Sequence, residues 1–523
     1  MSSFDFRVIA DKIGVSILTT EHLREFDLFQ TDISGIFRKF SEPIPVLVLQ
    51  ESSEVDIRKT GERLRSHGVF HNEQLSIIMT ASRSAPFLRN SFDGRRTAVL
   101  DFEEVMSAAR SATPRAAIRN QIRQRVLLEY LTPYNTNYVT PHTMFYGRER
   151  ELADIDKGAN DNFIIVGPRR IGKSSLAREV QRMKLKESGL GPRLSGPSKN
   201  RYAYTVAYVD CNLLPDFGDV EALFESLLAS MNLEARDTIQ NRHLFGRRER
   251  NLAPFEFFEK LIRTKYRALT IIIDEIDGLL ETDKKRSWSV LRKLQGLVDQ
   301  IRTVSAGAGT LTNVILVGFS KLYSAMYDDS FPFFGRCKRI VVGNLGRDAV
   351  EKLISEPLAE LGFRIRERQQ VLDRIMDETG GMPSIVQSIC DEAIKRLQVA
   401  ERRSVTPDLV QAIIADRYPL EDHLNWFDYH ANDLEKTIVY YMNGESRLRV
   451  SDFIQFMETK GNTSIGLTDI RLPLDHLALA NILHEVDRHE VYEYAVDAFR
   501  RAIVSRPHRD KELQRLVKRL TKG

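Results

Sequence analysis

The chain has no apolar run near the roughly 20 residues that a membrane-crossing helix requires. Its longest apolar stretches, around Ile271–Ile273 and Val314–Val317, are strand-sized. The opening MSSFDFRVIADK has neither the basic start nor the apolar segment of an export signal. Cysteine is scarce. Cys211, Cys337 and Cys390 stand far apart, which argues against a disulfide framework and against a metal-spaced pair. The expectation is a reducing, cytoplasmic setting with no membrane partner. An excess of charge of one sign is also lacking. Lys and Arg number 76 against 72 Asp and Glu, a net +4, so bulk charge does not point to nucleic acid. No internal repeat is visible.

What is there is an ordinary globular composition, 42% hydrophobic and 28% charged, in 523 residues, enough for several domains. Over residues 1–112, short β-branched runs at Gly14–Leu18, Val46–Leu49, Leu75–Met79 and Ala98–Leu100 read as strands. Glu21–Phe29 and Val55–Ser66 read as helices between them, and Asp93-Gly94 as a turn. Together they predict a small, mainly parallel α/β domain. Asp101, Glu103 and Glu104 follow its last strand. A metal site is one reading of them; acidic residues opening a helix are the plainer one, and no lysine at nuclease-like spacing accompanies them. Pro114–Leu131 reads as a helix rich in arginine on its polar side. Leu131–Pro141 is rich in Pro, Asn and Thr, cannot continue a helix and marks a boundary; a looser junction lies near Arg402–Pro407.

The middle of the chain carries the chemistry. Phe163-Ile-Ile-Val166 is a buried-type strand that runs into Gly167-Pro168-Arg169-Arg170-Ile171-Gly172-Lys173-Ser174, with a helix beginning at Ser175. This is GxxxxGK[ST] in its strand–loop–helix context. Glycines let the loop curl so that backbone N–H groups point at a phosphate, and the helix N-terminus adds its dipole. Lys173 is predicted to reach the β- and γ-phosphates, and the Ser174 hydroxyl to bind Mg²⁺. Further on, the strand Leu269–Ile273 ends in Asp274-Glu275. Asp274 is placed to share the Mg²⁺ and Glu275 to act as general base toward a water. A strand with an N-capping acid is the bland alternative, weakened by the phosphate loop upstream. A third strand, Val314–Val317, leads to Ser320, which either senses the γ-phosphate or caps the helix from Lys321.

With these motifs in place, the middle of the chain resembles the STAND class of AAA+-related ATPases, in particular its prokaryotic and archaeal-type members. Phe145-Tyr-Gly147-Arg148-Glu149-Arg-Glu151-Leu152 looks like the segment that precedes the P-loop and lines the nucleotide base. Thr379-Gly380-Gly381-Met382-Pro383, followed by Gln387, looks like the lid element whose proline faces the nucleotide. The resemblance covers Phe145–Leu397 and implies ATP and Mg²⁺ as ligands. It adds Gly147, Arg148 and Pro383 to the nucleotide-binding set Gly167–Ser175. In Pro332–Ile340 it implies that Arg336 or Arg339 serves as a finger toward a neighbouring subunit, the alternative being a basic residue on its own domain's acidic surface. Larger members of the class end in long sensor repeats, and here only the residues after 402 remain. A sensor would then be the N-terminal domain, the C-terminal region or another polypeptide.

That C-terminal region reads as helices at Asn432–Met442, Ser451–Lys460 and Thr468–Ile482, with Ser451 and Thr468 as N-caps. A hairpin over His484–Val496, Phe499–Val504 and a final amphipathic helix follow, making a winged-helix-like domain. Its candidate recognition helix is mostly apolar, with Pro473 breaking its start, which favours packing on protein over reading bases. Basic clusters at Arg182–Lys186 with Arg193, Lys199 and Arg201, at Arg247–Arg250 and at Arg506–Lys522 read as solvated faces, with nucleic-acid contact as the alternative. Gly189–Asn200 reads as a surface insertion.

The predicted organisation is a small α/β domain (1–112), a helix and linker (113–141), a P-loop ATPase core (142–343), a helical lid (344–402) and a winged-helix-like domain (403–523). The function implied is an ATP-driven switch that self-associates and activates a protein partner, with anti-phage defence or signalling as the setting the resemblance suggests. The rival is a DNA-binding initiator or transposition-type ATPase.

Overall fold

The structure is a computed structural model that describes residues 5–22, 26–40, 42–49, 75–81, 84–91, 96–134, 139–158, 160–187, 204–217, 219–231, 252–265, 268–305, 311–416, 421–442, 445–461, 465–488 and 490–521. The expected helix Val55–Ser66, the Asp93-Gly94 turn, the Gly189–Asn200 insertion and the clusters at 193–201 and 247–250 lie outside them. Two compact units form, each from separated stretches of chain. Among the described residues no helix is long and apolar enough to cross a membrane, and all three cysteines are free thiols.

Unit one comprises Met1–Tyr146, Arg347–Ile375 and Ser384–Asp416. Its sheet runs in sequence order, β1 (Ser16–His22), β2 (Phe26–Asp32), β3 (Ile44–Leu49), β4 (Ser76–Thr80) and β5 (Thr97–Asp101). Helix α1 (Phe6–Ile13) precedes it and closes on Gly14, whose φ of 82° makes it a left-handed cap and not the start of a strand. The described residues of the predicted helix Glu21–Phe29 are instead the end of β1 and the start of β2, which pair antiparallel. β2 pairs antiparallel with both β1 and β3, so the sheet is mixed, and its parallel pairs are β3–β4 and β4–β5. Tertiary pairing with the fully buried β3 overrides the local helical reading. After α2 (Ala85–Ser91), Asp101 opens α3 (Phe102–Arg110) with a capping box, and Glu104 pairs with Arg89 and Arg125. The acids after β5 are therefore structural. The arginine-rich helix is α4 (Pro114–Arg125), ended at Val126 before a short turn of helix at Leu128–Leu131.

The rest of the described residues of this unit are mainly helical. Arg38 pairs with Glu356 and Glu360 on the helix Arg347–Glu360, and the Tyr134 hydroxyl donates to the Ile354 carbonyl (3.0 Å). Two-residue strands Arg364–Ile365 and Ser404–Val405 pair in parallel, so the expected junction near Arg402–Pro407 lies inside this unit.

Unit two comprises Gly147–Gly346, Met376–Pro383 and Arg417–Gly523. Strands β6 (Asn162–Val166), β7 (Tyr204–Asp210), β8 (Ala268–Asp274), β9 (Leu311–Gly318) and β10 (Cys337–Val341) form an all-parallel sheet in the order β10-β6-β9-β8-β7. Its apolar strands read as continuous runs because helices cover both faces. Helices α5 (Lys173–Glu187), α6 (Asp277–Lys285) and α7 (Ser320–Ala325) start at the C-terminal ends of β6, β8 and β9. This edge is where an open parallel sheet binds ligands.

The C-terminal region contains α8 (Asp433–Tyr441), β11 (Arg447–Arg449), α9 (Val450–Gly461), α10 (Leu467–Leu479), β12 (Leu483–Asp487), β13 (Val491–Tyr494), a helix Asp497–Val504 and α11 (Arg509–Leu520). β13 lies between β11 and β12, both antiparallel to it. Asn432, where the sequence reading begins this helix, is the N-cap of α8. Three local expectations fail. Ser451 lies inside α9, which starts at Val450; α10 is entered at Gly466, whose N–H donates to Asp469 (2.9 Å), and not at Thr468; and Pro473 sits within α10. Buried Ile470, Leu474 and Leu477 hold that helix through the proline by packing. Much of the basic charge is spent internally: Arg182 on Glu179, Lys184 on Asp156, Arg506 on Asp428 and Arg515 on Glu512.

Candidate nucleotide site

The loop after β6 is shaped by two glycines for different reasons. A Cβ at Gly167 would lie 2.5 Å from the Val342 carbonyl oxygen, so no larger residue fits. Gly172 has open space but a φ of 99°, which side chains with a Cβ disfavour. Arg170 also takes positive φ, at 60°, and Arg169 and Arg170 are exposed while Pro168 and Ile171 are buried. Helix α5 starts at Lys173, two residues earlier than its sequence suggests. Lys173 is 6% exposed, and its ammonium donates to the carbonyls of Gly167 (3.1 Å) and Pro168 (2.8 Å). Burial pushes its pKa down, while Glu275, Asp277 and Asp274 act to hold it up. A buried cation is costly without such carboxylates.

The facing carboxylates come from the end of β8. Asp274 is 1% exposed and the Ser174 hydroxyl is near enough to favour its charged form, so the two oxygen groups assigned to Mg²⁺ from the sequence are neighbours. This hard, all-oxygen pair fits such an ion. The Tyr208 hydroxyl donates to Asp274 Oδ2 (2.5 Å), and the Glu275 N–H donates to Oδ1 (2.9 Å). Burial raises the Asp274 pKa, and these hydrogen bonds oppose it. Arg178 lies over the Tyr208 ring at 3.4 Å. Sequence reasoning missed Tyr208, since nothing but the pairing of β7 with β8 brings it there. Glu275 has a φ of 51°, a left-handed conformation that a glutamate adopts only under constraint. Burial raises its pKa, and the Lys173 ammonium lowers it.

Ser320 is the first residue of α7 and not its cap. The helix is entered at Phe319, and Asp277 accepts from the N–H groups of Phe319 (2.6 Å) and Lys321 (2.8 Å). Arg336, the finger candidate, is exposed and pairs with Asp299 of its own unit (2.9 Å), while Arg339 lies near the Tyr323 ring. Arg148 is 5% exposed and spends its guanidinium on Glu151 and on the carbonyls of Ile171 (3.3 Å) and Gly343 (2.5 Å). It braces the phosphate loop from behind, next to Gly147 at a φ of 69°. Gly381, at a φ of 82°, has no room for a Cβ, which would meet the Leu345 carbonyl at 2.3 Å. Its own carbonyl accepts from the Leu345 N–H (2.9 Å). The half-buried Pro383 opens the following helix.

Residues 157–326 match the family model of the AAA domain. They form an AAA-type P-loop domain. The match covers about a third of the chain and includes the phosphate loop, Asp274, Glu275 and Ser320. Among curated proteins none matches. Solved structures similar to the chain include the Aeropyrum pernix ORC2 protein, at 14% identity and a TM-score of 0.49 over 75% of this chain and 98% of that one. A Walker-type ATPase of Pyrococcus abyssi is 15% identical, with a TM-score of 0.47, over 74% and 99%. The Aeropyrum pernix ORC1 protein in complex with DNA is 15% identical, with a TM-score of 0.36, over 73% and 97%. The assignment of the AAA domain's site rests on its own residues.

Proposed function

We propose that the chain is an ATP-hydrolysing switch of the STAND type, in which bound ATP promotes self-association and the activation of a protein partner. The observation that carries this reading is the meeting of buried Lys173 with the Ser174–Asp274 pair and the constrained Glu275. The loop N–H groups and the start of α5 would cradle the phosphates, with Lys173 on the β- and γ-groups. Ser174 and Asp274 would hold Mg²⁺, which when bound supplies positive charge to the phosphate oxygens. Glu275 would orient a water and take its proton. Ser320 as a γ-phosphate sensor, Arg336 as a finger to a neighbouring copy and Pro383 beside the nucleotide belong to the same proposal. So do a cytoplasmic setting and a role in defence or signalling.

The DNA-acting alternative needs α10 to enter a groove. Asp475 and His476 of that helix are instead hydrogen-bonded to Tyr323 and Ser324 of the AAA domain, which favours the switch. Mass photometry of Glu275→Gln with ATP, with and without duplex DNA, tests this. Assembly on ATP alone is the expected outcome; assembly only on DNA would transfer the reading to a DNA-acting ATPase.

A further inference from the structure

A carboxylate outside the phosphate-binding motifs, Asp277, joins the catalytic turn to the C-terminal region. It opens α6 directly after Glu275-Ile276. One of its oxygens, Oδ2, accepts from the Phe319 N–H (2.6 Å) and the other, Oδ1, from the Lys321 N–H (2.8 Å). Helix α7 has no side-chain cap from its own N-cap residue, so Asp277 meets the orphan N–H groups that a helix start leaves. Gly318 keeps this approach open, since a Cβ there would lie 2.4 Å from Asp277 Oδ2. The Ile276 N–H adds a tie to the Val317 carbonyl (3.1 Å). The turn that carries Glu275 and the start of α7 are thus fastened together, in part by charge-assisted hydrogen bonds.

The other end of α7 holds the C-terminal region. The Tyr323 hydroxyl donates to Asp475 Oδ2 (3.1 Å), and Ser324 Oγ lies 3.1 Å from His476 Nε2. His476 Nδ1 lies 2.9 Å from Glu435 Oε1, a carboxylate that is 3% exposed at the start of α8. Leu479 shares one apolar cluster with Leu322, Tyr323 and Ala325. Because α7 is under two turns long, it has little room to bend between its two sets of contacts.

We propose that Asp277 is a positioning residue that couples the turn bearing Glu275 to the docking of α10, with α7 as the rigid link. The proposal rests on Glu275 being the general base. On this view, loosening either end of α7 is felt at the other, because coupling between two sites is reciprocal. A simple helix cap would not behave so: its loss would fray α7 and leave α10 and the turn independent.

The test pairs two variants of the full chain, Asp277→Asn and His476→Ala, read by amide exchange without nucleotide and by ATP turnover. Asp277→Asn is expected to speed exchange across residues 467–479 by roughly tenfold, as local opening becomes easier. His476→Ala is expected to speed exchange across residues 275–280. It should also change turnover by about threefold or more, at unchanged ATP affinity, in line with the size of mutational effects on coupling. The double variant should turn over ATP no differently from Asp277→Asn alone. Unchanged exchange at the far end in both variants, or additive effects on turnover, would overturn the link. If Asp277→Asn does not fold, the His476→Ala arm decides by itself. Absence of ATP turnover in the wild-type chain would sink the ATPase reading, while the exchange arm would still decide the link.

Discussion

Two aspartates in this chain look alike on paper and differ in kind. Asp101 and Asp274 each end a strand of a parallel run, and each precedes a helix. Asp101 accepts the Glu104 N–H (2.7 Å) in a capping box, and Glu104 is neutralised by two arginines. Both of these carboxylates have structural partners, and Asp101 takes extended backbone at a φ of −88°. Asp274 is nearly fully buried, stands beside a serine hydroxyl and a buried lysine, and is followed by a glutamate at positive φ. Burial of charge and backbone constraint are retained at the second strand end and not at the first. Such features persist where surrounding structure imposes them, and they mark a functional site better than the fold does.

The comparison can be broken or sharpened by substitution. Lys173→Ala has the largest expected effect: loss of nucleotide affinity by at least about a hundredfold, since a buried charge pair with phosphate is removed. Titration calorimetry with ATP measures it, and full retained affinity would break the assignment. Glu275→Gln is expected to keep ATP affinity and to lower turnover by about 10²–10⁴-fold, the range for a lost general base. Tyr208→Phe removes the hydroxyl that orients Asp274, so the Mg²⁺ concentration for half-maximal turnover should rise by roughly tenfold. An unchanged Mg²⁺ dependence would reduce Tyr208 to a packing residue. Asp101→Ala is expected to cost about 0.5–2 kcal/mol of unit-one stability in urea and to leave ATP affinity unaltered. Any effect of that variant on nucleotide would collapse the distinction between the two strand ends.

The two strand ends also show what can be read from one dimension. The phosphate loop, Asp274 and Glu275 were legible because their chemistry depends on short, contiguous spacing next to a strand. Tyr208 and Asp277 were not, because their partners lie on other strands: Tyr208 meets Asp274 through β-sheet pairing, and Asp277 meets α7 across the end of β9. Resemblance puts Arg148 beside the nucleotide, while its contacts in the structure are with Glu151 and the Ile171 and Gly343 carbonyls. In unit one the strands Val46–Leu49, Leu75–Met79 and Ala98–Leu100 were recognisable from β-branched runs. The run Gly14–Leu18 overlaps the first residues of β1, whereas Glu21–Phe29 reads as helical because the largely exposed β1 carries no apolar alternation that would extend the strand through it. The pull of packing also explains Pro473, whose helix survives on the buried leucines around it.

The most direct test of the account is a single-turnover experiment with labelled ATP on the wild-type chain and on Glu275→Gln. The account predicts that both bind ATP with similar affinity, that the wild-type chain cleaves it, and that the variant retains it intact. Cleavage by Glu275→Gln at the wild-type rate would contradict the role given to Glu275 and, with it, the meaning attached to the constrained turn after β8.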